Sequence, residues 1–177
     1  MAILNIPDQN KTITDFSEIK TLLNTHGIFL TKWEANKPLS DNDSQETILE
    51  AYSHELKPFM EKNGFKTADV INVHKDTPNV EAIRGKFLKE HTHSEDEVRF
   101  FVDGEGLFWF HLKDEADKDL ILNVLCQKGD FMSVPKGYKH WFDLAPKYHV
   151  KAIRIFTNVE GWVANYTESK IDERYNP

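Results

Sequence analysis

The chain is poor in the features that mark several protein classes. It has a single cysteine, Cys126, so an internal disulfide is impossible and nothing calls for an oxidising compartment. Cys126 sits in the apolar run DLILNVLCQKGD, which suits a buried thiol better than a nucleophile. No stretch approaches the roughly 18 apolar residues of a membrane-spanning helix. The start, MAILNIPDQNK, lacks the basic segment and long apolar run of a secretory leader. Cations are in the minority, 22 Lys and Arg against 29 Asp and Glu, for a net charge of -7. Without a basic stripe to follow a phosphate backbone, DNA and RNA are poor partners. The expectation is a cytoplasmic protein that engages neither nucleic acid nor membrane.

What is present suits one domain. The chain has 177 residues, 40% of them hydrophobic, enough for a sizeable core. It shows no repeat, low-complexity segment or linker. Ala2 to Ile6 reads as a strand, Asp15 to Thr25 as a helix with Ile19, Leu22 and Leu23 on one face, and Ile28 to Trp33 as a strand. Ser44 to Lys62 is the strongest helix, with Ser44 as N-cap, Gly64 beyond its end, and Pro58 inside to kink or shorten it. His54 rides on it as a surface or packing residue, not a ligand. Val70 to His74 reads as a strand, and a helix runs from Asn79 to Arg84 or on to Phe87.

After that the period becomes two. Candidate strands are 97–102, 107–112, 120–126, 131–134, 139–142 and 150–156, separated by turn signals at Asp103-Gly104, Lys128-Gly129, Pro135-Lys136-Gly137 and Pro146. Short strands at this spacing predict a mainly β fold with peripheral helices, an antiparallel barrel or sandwich. We expect one domain over residues 1–177, with an α/β part of residues 1–75 packing on a β-barrel core of residues 76–165.

The chemistry concentrates in GKFLKEHTHSEDEVRFFVDG, from Gly85 to Gly104. It carries His91, His93, Glu97 and Arg99, all at odd positions, so an extended backbone projects all four to one face. A second stretch, GDFMSVPKGYKH, brings His140 behind a Pro-x-Gly turn, with Phe142 on the same face. Three neutral imidazoles and one carboxylate suit iron, nickel, cobalt or manganese, with two octahedral positions left for water or substrate. A structural zinc site more often uses cysteines and a closed shell. His26, His74 and His149 have no partner at ligand spacing and read as structural.

The two stretches match the two motifs of the cupin superfamily. Gly85, His91, His93, Glu97 and Gly104 have the spacing of the first, and Gly129, Pro135, Gly137 and His140 that of the second. The asparagine often found four residues after that histidine is replaced by Leu144, which is not a ligand position. Within the superfamily, HTHSEDEVRFFVDGEGLFWFH, PNVEAIRGKFLKEHTH, VPKGYKHWFD and GWVANY resemble the acireductone dioxygenase family.

The resemblance implies a cupin-type barrel or jelly roll preceded by N-terminal helices, acting as a monomer. It implies one Fe2+ or Ni2+ ion on His91, His93, Glu97 and His140. Arg99 would help to form and hold a substrate dianion, which suits a guanidinium that stays charged; the competing role is a salt bridge to Glu95 or Glu97. Glu90 and Asp96 flank ligands and would support them from behind. Phe87, Phe142 and Trp162 would wall the substrate's methylthio tail. The implied reaction joins acireductone and O2, with formate and a 2-oxo acid formed on iron, and formate, methylthiopropionate and carbon monoxide on nickel. The alternatives are another cupin dioxygenase or isomerase, or a metal-binding module without turnover. Arg99, and aromatic residues where an isomerase would bind phosphate, argue against the isomerase.

Overall fold

Alternating apolar residues build two antiparallel sheets that share one long strand. The computed structural model describes residues 2–176, with the side chain of Trp162 outside the described part. In chain order the strands and α-helices are β1 (Ile3–Ile6), β2 (Lys11–Ile13), α1 (Phe16–Thr25), β3 (Phe29–Lys32), α2 (Gln45–Ala51), α3 (Ser53–Asn63), β4 (Thr67–Val73), α4 (Val80–Leu88), β5 (His91–Thr92), β6 (Glu97–Lys113), β7 (Asp119–Gln127), β8 (Asp130–Val134), β9 (Lys139–Asp143), β10 (Val150–Phe156), β11 (Asn165–Tyr166) and α5 (Ile171–Tyr175). One sheet runs β11-β5-β9-β6-β7-β1-β2; the other runs β3-β8-β6-β10-β4. The fold is therefore mainly β with peripheral helices, as expected, but among the described residues the hydrogen bonding does not close into a barrel. Residues up to 75 supply strands to both sheets: β1 and β2 to the first, β3 and β4 to the second.

The expected turn at Asp103-Gly104 instead lies within the 17-residue β6, beside a bulge that leaves Val102 unpaired against β10. The first half of β6 pairs with β8 and β10, the second half with β7 and β9. The register against β10 slips between Lys151 and Ala152, opposite this point. Gly104 adopts φ +68, and a Cβ there would lie 2.1 Å from the His149 carbonyl oxygen, so glycine is required. Inward-facing residues are consequently odd before the bulge (Phe101) and even after it (Phe108 and Phe110), all in the core between the sheets. Val98, Phe100 and Val102 face the other way, onto Ile48, Tyr52 and Leu56 of the α2–α3 region.

The long helix expected over residues 44–62 is broken at Tyr52 into α2 and α3. Pro58 lies inside α3, which continues to Asn63 and ends on Gly64. Proline cannot bond to the carbonyl four residues back and crowds it, and the break falls two residues before that carbonyl, at the fully buried Tyr52. The helix after Pro78 is the longer of the two versions and reaches Leu88. Among the described residues no helix is long and apolar enough to cross a membrane.

Candidate metal centre

Two stretches of the chain, residues 91–97 and strand β9, bring the candidate ligand side chains together. His91 lies on β5 directly opposite His140 on β9. Glu97 begins β6, and His93 sits in the bend between. That bend is fastened to the Pro135–Gly137 turn: the Gly137 amide donates to the His93 carbonyl at 2.9 Å and the Lys136 amide to Asp96 Oδ1 at 2.8 Å. Asp96 thus joins the two motifs.

All four side chains are buried. Each histidine donates its Nδ1 proton to a backbone carbonyl: His91 to Lys89 at 2.7 Å, His93 to Val163 at 2.9 Å, His140 to Tyr138 at 2.9 Å. A carbonyl only accepts, so in the neutral ring Nε2 carries the free lone pair, as a metal ligand requires. The candidate ligand atoms of the three rings lie within 4.8 Å of one another. Glu97 Oε2 is 3.0 Å from His140 Nε2 and 3.4 Å from His93 Nε2. Metal bonds of about 2.1 Å at right angles place neighbouring donors about 3 Å apart, so the donor set fits one small divalent ion.

Electrostatics agree. Burial, with His140 nearby, pulls His91 down to about 3, and burial also lowers His93. Both rings are therefore neutral and able to ligate at neutral pH. Burial opposes ionisation of Glu97, but the Arg99 guanidinium beside it favours the charged form, and the carboxyl lies well below its ordinary range. The carboxylate divides its oxygens: Oε2 faces the histidines while Oε1 accepts a hydrogen bond from Arg99 Nη2.

Arg99 is 4% exposed, and among the described residues its Nε and Nη1 have no hydrogen-bond partner. Its guanidinium lies 4.7 Å from the centre of the Phe108 ring and 4.5 Å from that of Phe142. The salt bridge weighed against a substrate role is present, to Glu97, yet occupies only one of the three nitrogens. Glu95 is engaged elsewhere, by Thr157 and Asn158.

His91, His93 and Arg99 border a cavity of about 240 Å³. Lys86 and Phe87 of α4, Arg154 of β10, and Ala164 and Tyr166 complete it. Phe87 therefore stands on the cavity wall, whereas Phe142 lies against the Arg99 guanidinium, with its ring 6.2 Å from that of Phe87. The Trp162 side chain is outside the described residues. Glu90 bonds with His111, Thr167 and Ser169. In this way it ties the C-terminal segment to the strand that carries His91. Arg154 and Lys86 were not singled out by the sequence; Ala164 and Tyr166 lie in GWVANY, where resemblance was the available signal. His149 pairs with Asp103 at 3.1 Å, and His54 is exposed. Cys126 is fully buried, and burial pushes its thiol well above the ordinary value.

Comparison with known proteins agrees over nearly the whole chain. A model of the ARD/ARD' family matches residues 5–164. An acireductone dioxygenase of Picosynechococcus sp. is 50% identical over 175 residues, covering 99% of this chain and 97% of its own. One from Cronobacter sakazakii is 48% identical over 162 residues, covering 92% of this chain and 87% of its own. Among solved structures, the acireductone dioxygenase from Bacillus anthracis with a cadmium ion in its active centre superimposes with a TM-score of 0.84 at 34% identity, covering 94% of this chain and 98% of that one. Identity at this level across both motifs, on the same fold, establishes that the chain belongs to the ARD/ARD' family.

Proposed function

We propose that the chain is a metal-dependent dioxygenase that cleaves acireductone, 1,2-dihydroxy-5-(methylthio)pent-1-en-3-one, with O2, an activity of methionine salvage. The observation that carries this reading is Arg99: a buried cation beside three histidines, with two donors that meet no acceptor among the described residues. An unmade buried hydrogen bond costs about 1–3 kcal/mol. An anionic oxygen entering the cavity would satisfy those donors, and a charge already fixed in place needs no reorganisation to receive it.

In this reading His91, His93, Glu97 and His140 hold one divalent ion, Fe2+ or Ni2+. When bound, that ion would supply Lewis acidity, lowering the affinity of a substrate oxygen for its proton. Arg99 favours the ionised substrate and orients it, because its positive charge cannot be given up. Phe87 offers an apolar surface to the methylthio tail. Asp96 keeps the two motifs in register, and Glu90 keeps the C-terminal segment against the site. Trp162 would add to the apolar wall, and Phe142 acts through Arg99. With iron the products are 4-methylthio-2-oxobutanoate and formate; with nickel they are methylthiopropionate, formate and carbon monoxide. Either set accounts for every atom of acireductone and O2. The whole chain acts as one domain, as a cytoplasmic monomer.

The test is to add acireductone without oxygen to iron-loaded and nickel-loaded protein, then admit O2. Oxygen uptake is expected with both metals and carbon monoxide with nickel alone. Substrate left unconsumed with both metals would overturn the reading.

A further inference from the structure

We propose that Gly106 is a positioning residue for the anion-binding guanidinium, acting through the Phe142 ring. This rests on the reading of Arg99 as the group that receives the substrate anion. Gly106 lies in the second half of β6, paired with Cys126 of β7. Its φ is not among the positive ones, so backbone conformation does not explain the glycine. Alanine would otherwise suit a strand better, since glycine there has more conformational freedom to lose.

Space explains it. A Cβ on residue 106 would lie 2.0 Å from Phe142 Cζ, 2.6 Å from Cε2 and 3.1 Å from Cε1. The ring therefore occupies the volume that any other side chain would fill. It has nowhere to retreat: Phe142 is 1% exposed, with Phe108 at 5.0 Å, Phe87 at 6.2 Å and Phe101 at 6.3 Å between ring centres. A further neighbour is the Arg99 guanidinium, 4.5 Å from the ring centre.

That neighbour is the one group here whose orientation matters for chemistry. Among the described residues Arg99 is tethered at one nitrogen, by Glu97. The direction of its open Nε and Nη1 is set by the rings of Phe108 and Phe142 that border it. The absent side chain at 106 thus fixes Phe142, which fixes the guanidinium, which aims two donors at the substrate.

The test is a double-mutant cycle. The clashing atoms are the outer ring carbons, and Phe142→Leu removes them while keeping an apolar side chain. Gly106→Ala alone is expected to keep its bound metal yet lower kcat/KM by roughly 100-fold, the scale of a small misplacement of a reacting group. In the Phe142→Leu background the same change should alter kcat/KM by less than about threefold. A second readout needs no turnover. In zinc-loaded protein, the Arg99 Nε–H resonance, assigned by its loss in Arg99→Lys, should move in Gly106→Ala and stay put when Gly106→Ala is added to Phe142→Leu. An equal fold-change in both backgrounds, or an unmoved resonance in Gly106→Ala, would overturn the proposal. If Gly106→Ala fails to fold, the double variant decides: a folded protein with the kcat/KM and resonance of Phe142→Leu supports the proposal, and an unfolded or shifted one overturns it. Should the wild-type protein leave acireductone untouched, the resonances still test the positioning while the proposed activity falls.

Discussion

Two arginines stand directly opposite each other on neighbouring strands, Arg99 on β6 and Arg154 on β10, and both border the same cavity. Arg154 meets a carboxylate two-pronged: Nε donates to Asp69 Oδ1 at 2.8 Å and Nη2 to Oδ2, from β4 on its other side. Arg99 reaches its carboxylate through a single nitrogen, and that carboxylate also faces two histidines. Like residues a strand apart thus differ in what completes them. A bidentate pair satisfies a guanidinium and ties strands together. A half-satisfied one is costly in the empty protein and useful once an anion arrives. We therefore read β10 and β4 as the frame of the cavity and the first inward side chains of β6 as its working edge.

The largest effects should come from removing the histidines that complete the donor set around Glu97. His91→Ala and His140→Ala each delete one of the inward Nε2 atoms and should lose bound metal and turnover together. Elemental analysis of each purified variant checks this; a full equivalent of metal retained in either would break the assignment. Next in size is Arg99→Ala. Loss of a fixed donor to a developing anion typically costs about 10² to 10³ in rate, so kcat should fall by about that factor with metal content unchanged. Turnover equal to wild type would put Arg99 in the same category as Arg154 and dissolve the comparison.

The sequence made this working edge legible and showed the two strands of the frame, at 150–156 and 70–74, but not how they pair. Odd parity put His91, His93, Glu97 and Arg99 on one face, and parity needs no knowledge of partners; a bend at Ser94-Glu95 separates the two histidines from the β6 residues, yet the side chains still meet. Asp103-Gly104 could not be resolved the same way, because an Asp-Gly pair serves a hairpin turn and a bulge alike. What separates the two is whether the flanking halves pair with each other, and here they pair with different strands. The break at Tyr52 was likewise displaced from Pro58, the residue that signalled it. β11 is two residues long and held by pairing with Thr92 and His91, too short to show any period. That Arg154 faces Arg99 is a matter of register between strands more than 50 positions apart, which no local pattern encodes.

The frame itself can be broken. Arg154→Ala leaves Asp69 with a mostly buried and unpaired charge, and removing one partner of such a pair costs about 3 kcal/mol or more. The midpoint of chemical denaturation should drop accordingly, while kcat of the folded protein falls by less than about tenfold, a smaller effect than at Arg99. The opposite pattern, intact stability with kcat lost, would make both arginines parts of the same catalytic edge.

The smallest effect sharpens the comparison by moving an ion pair to the surface. Lys147 Nζ lies 2.9 Å from Glu105 Oε2, but the lysine side chain is 63% exposed. Water and salt screen such a pair, so Lys147→Ala should cost only about 0.5 kcal/mol. Burial resists ionisation of Glu105, yet Gln127 and then Lys147 more than offset it and hold the carboxyl below its ordinary 4.5. A lowered folded-state value means that the contribution is complete above pH 4.5 and disappears as pH falls through the folded value. The stability gap between wild type and Lys147→Ala, followed by urea denaturation, should therefore close on acidification and also shrink in high salt. A gap that instead grew to the size of the Arg154→Ala loss would mean that pairing alone, whatever its exposure, sets the worth of these contacts. The difference between the two arginines would then have to lie in something other than how completely each is satisfied.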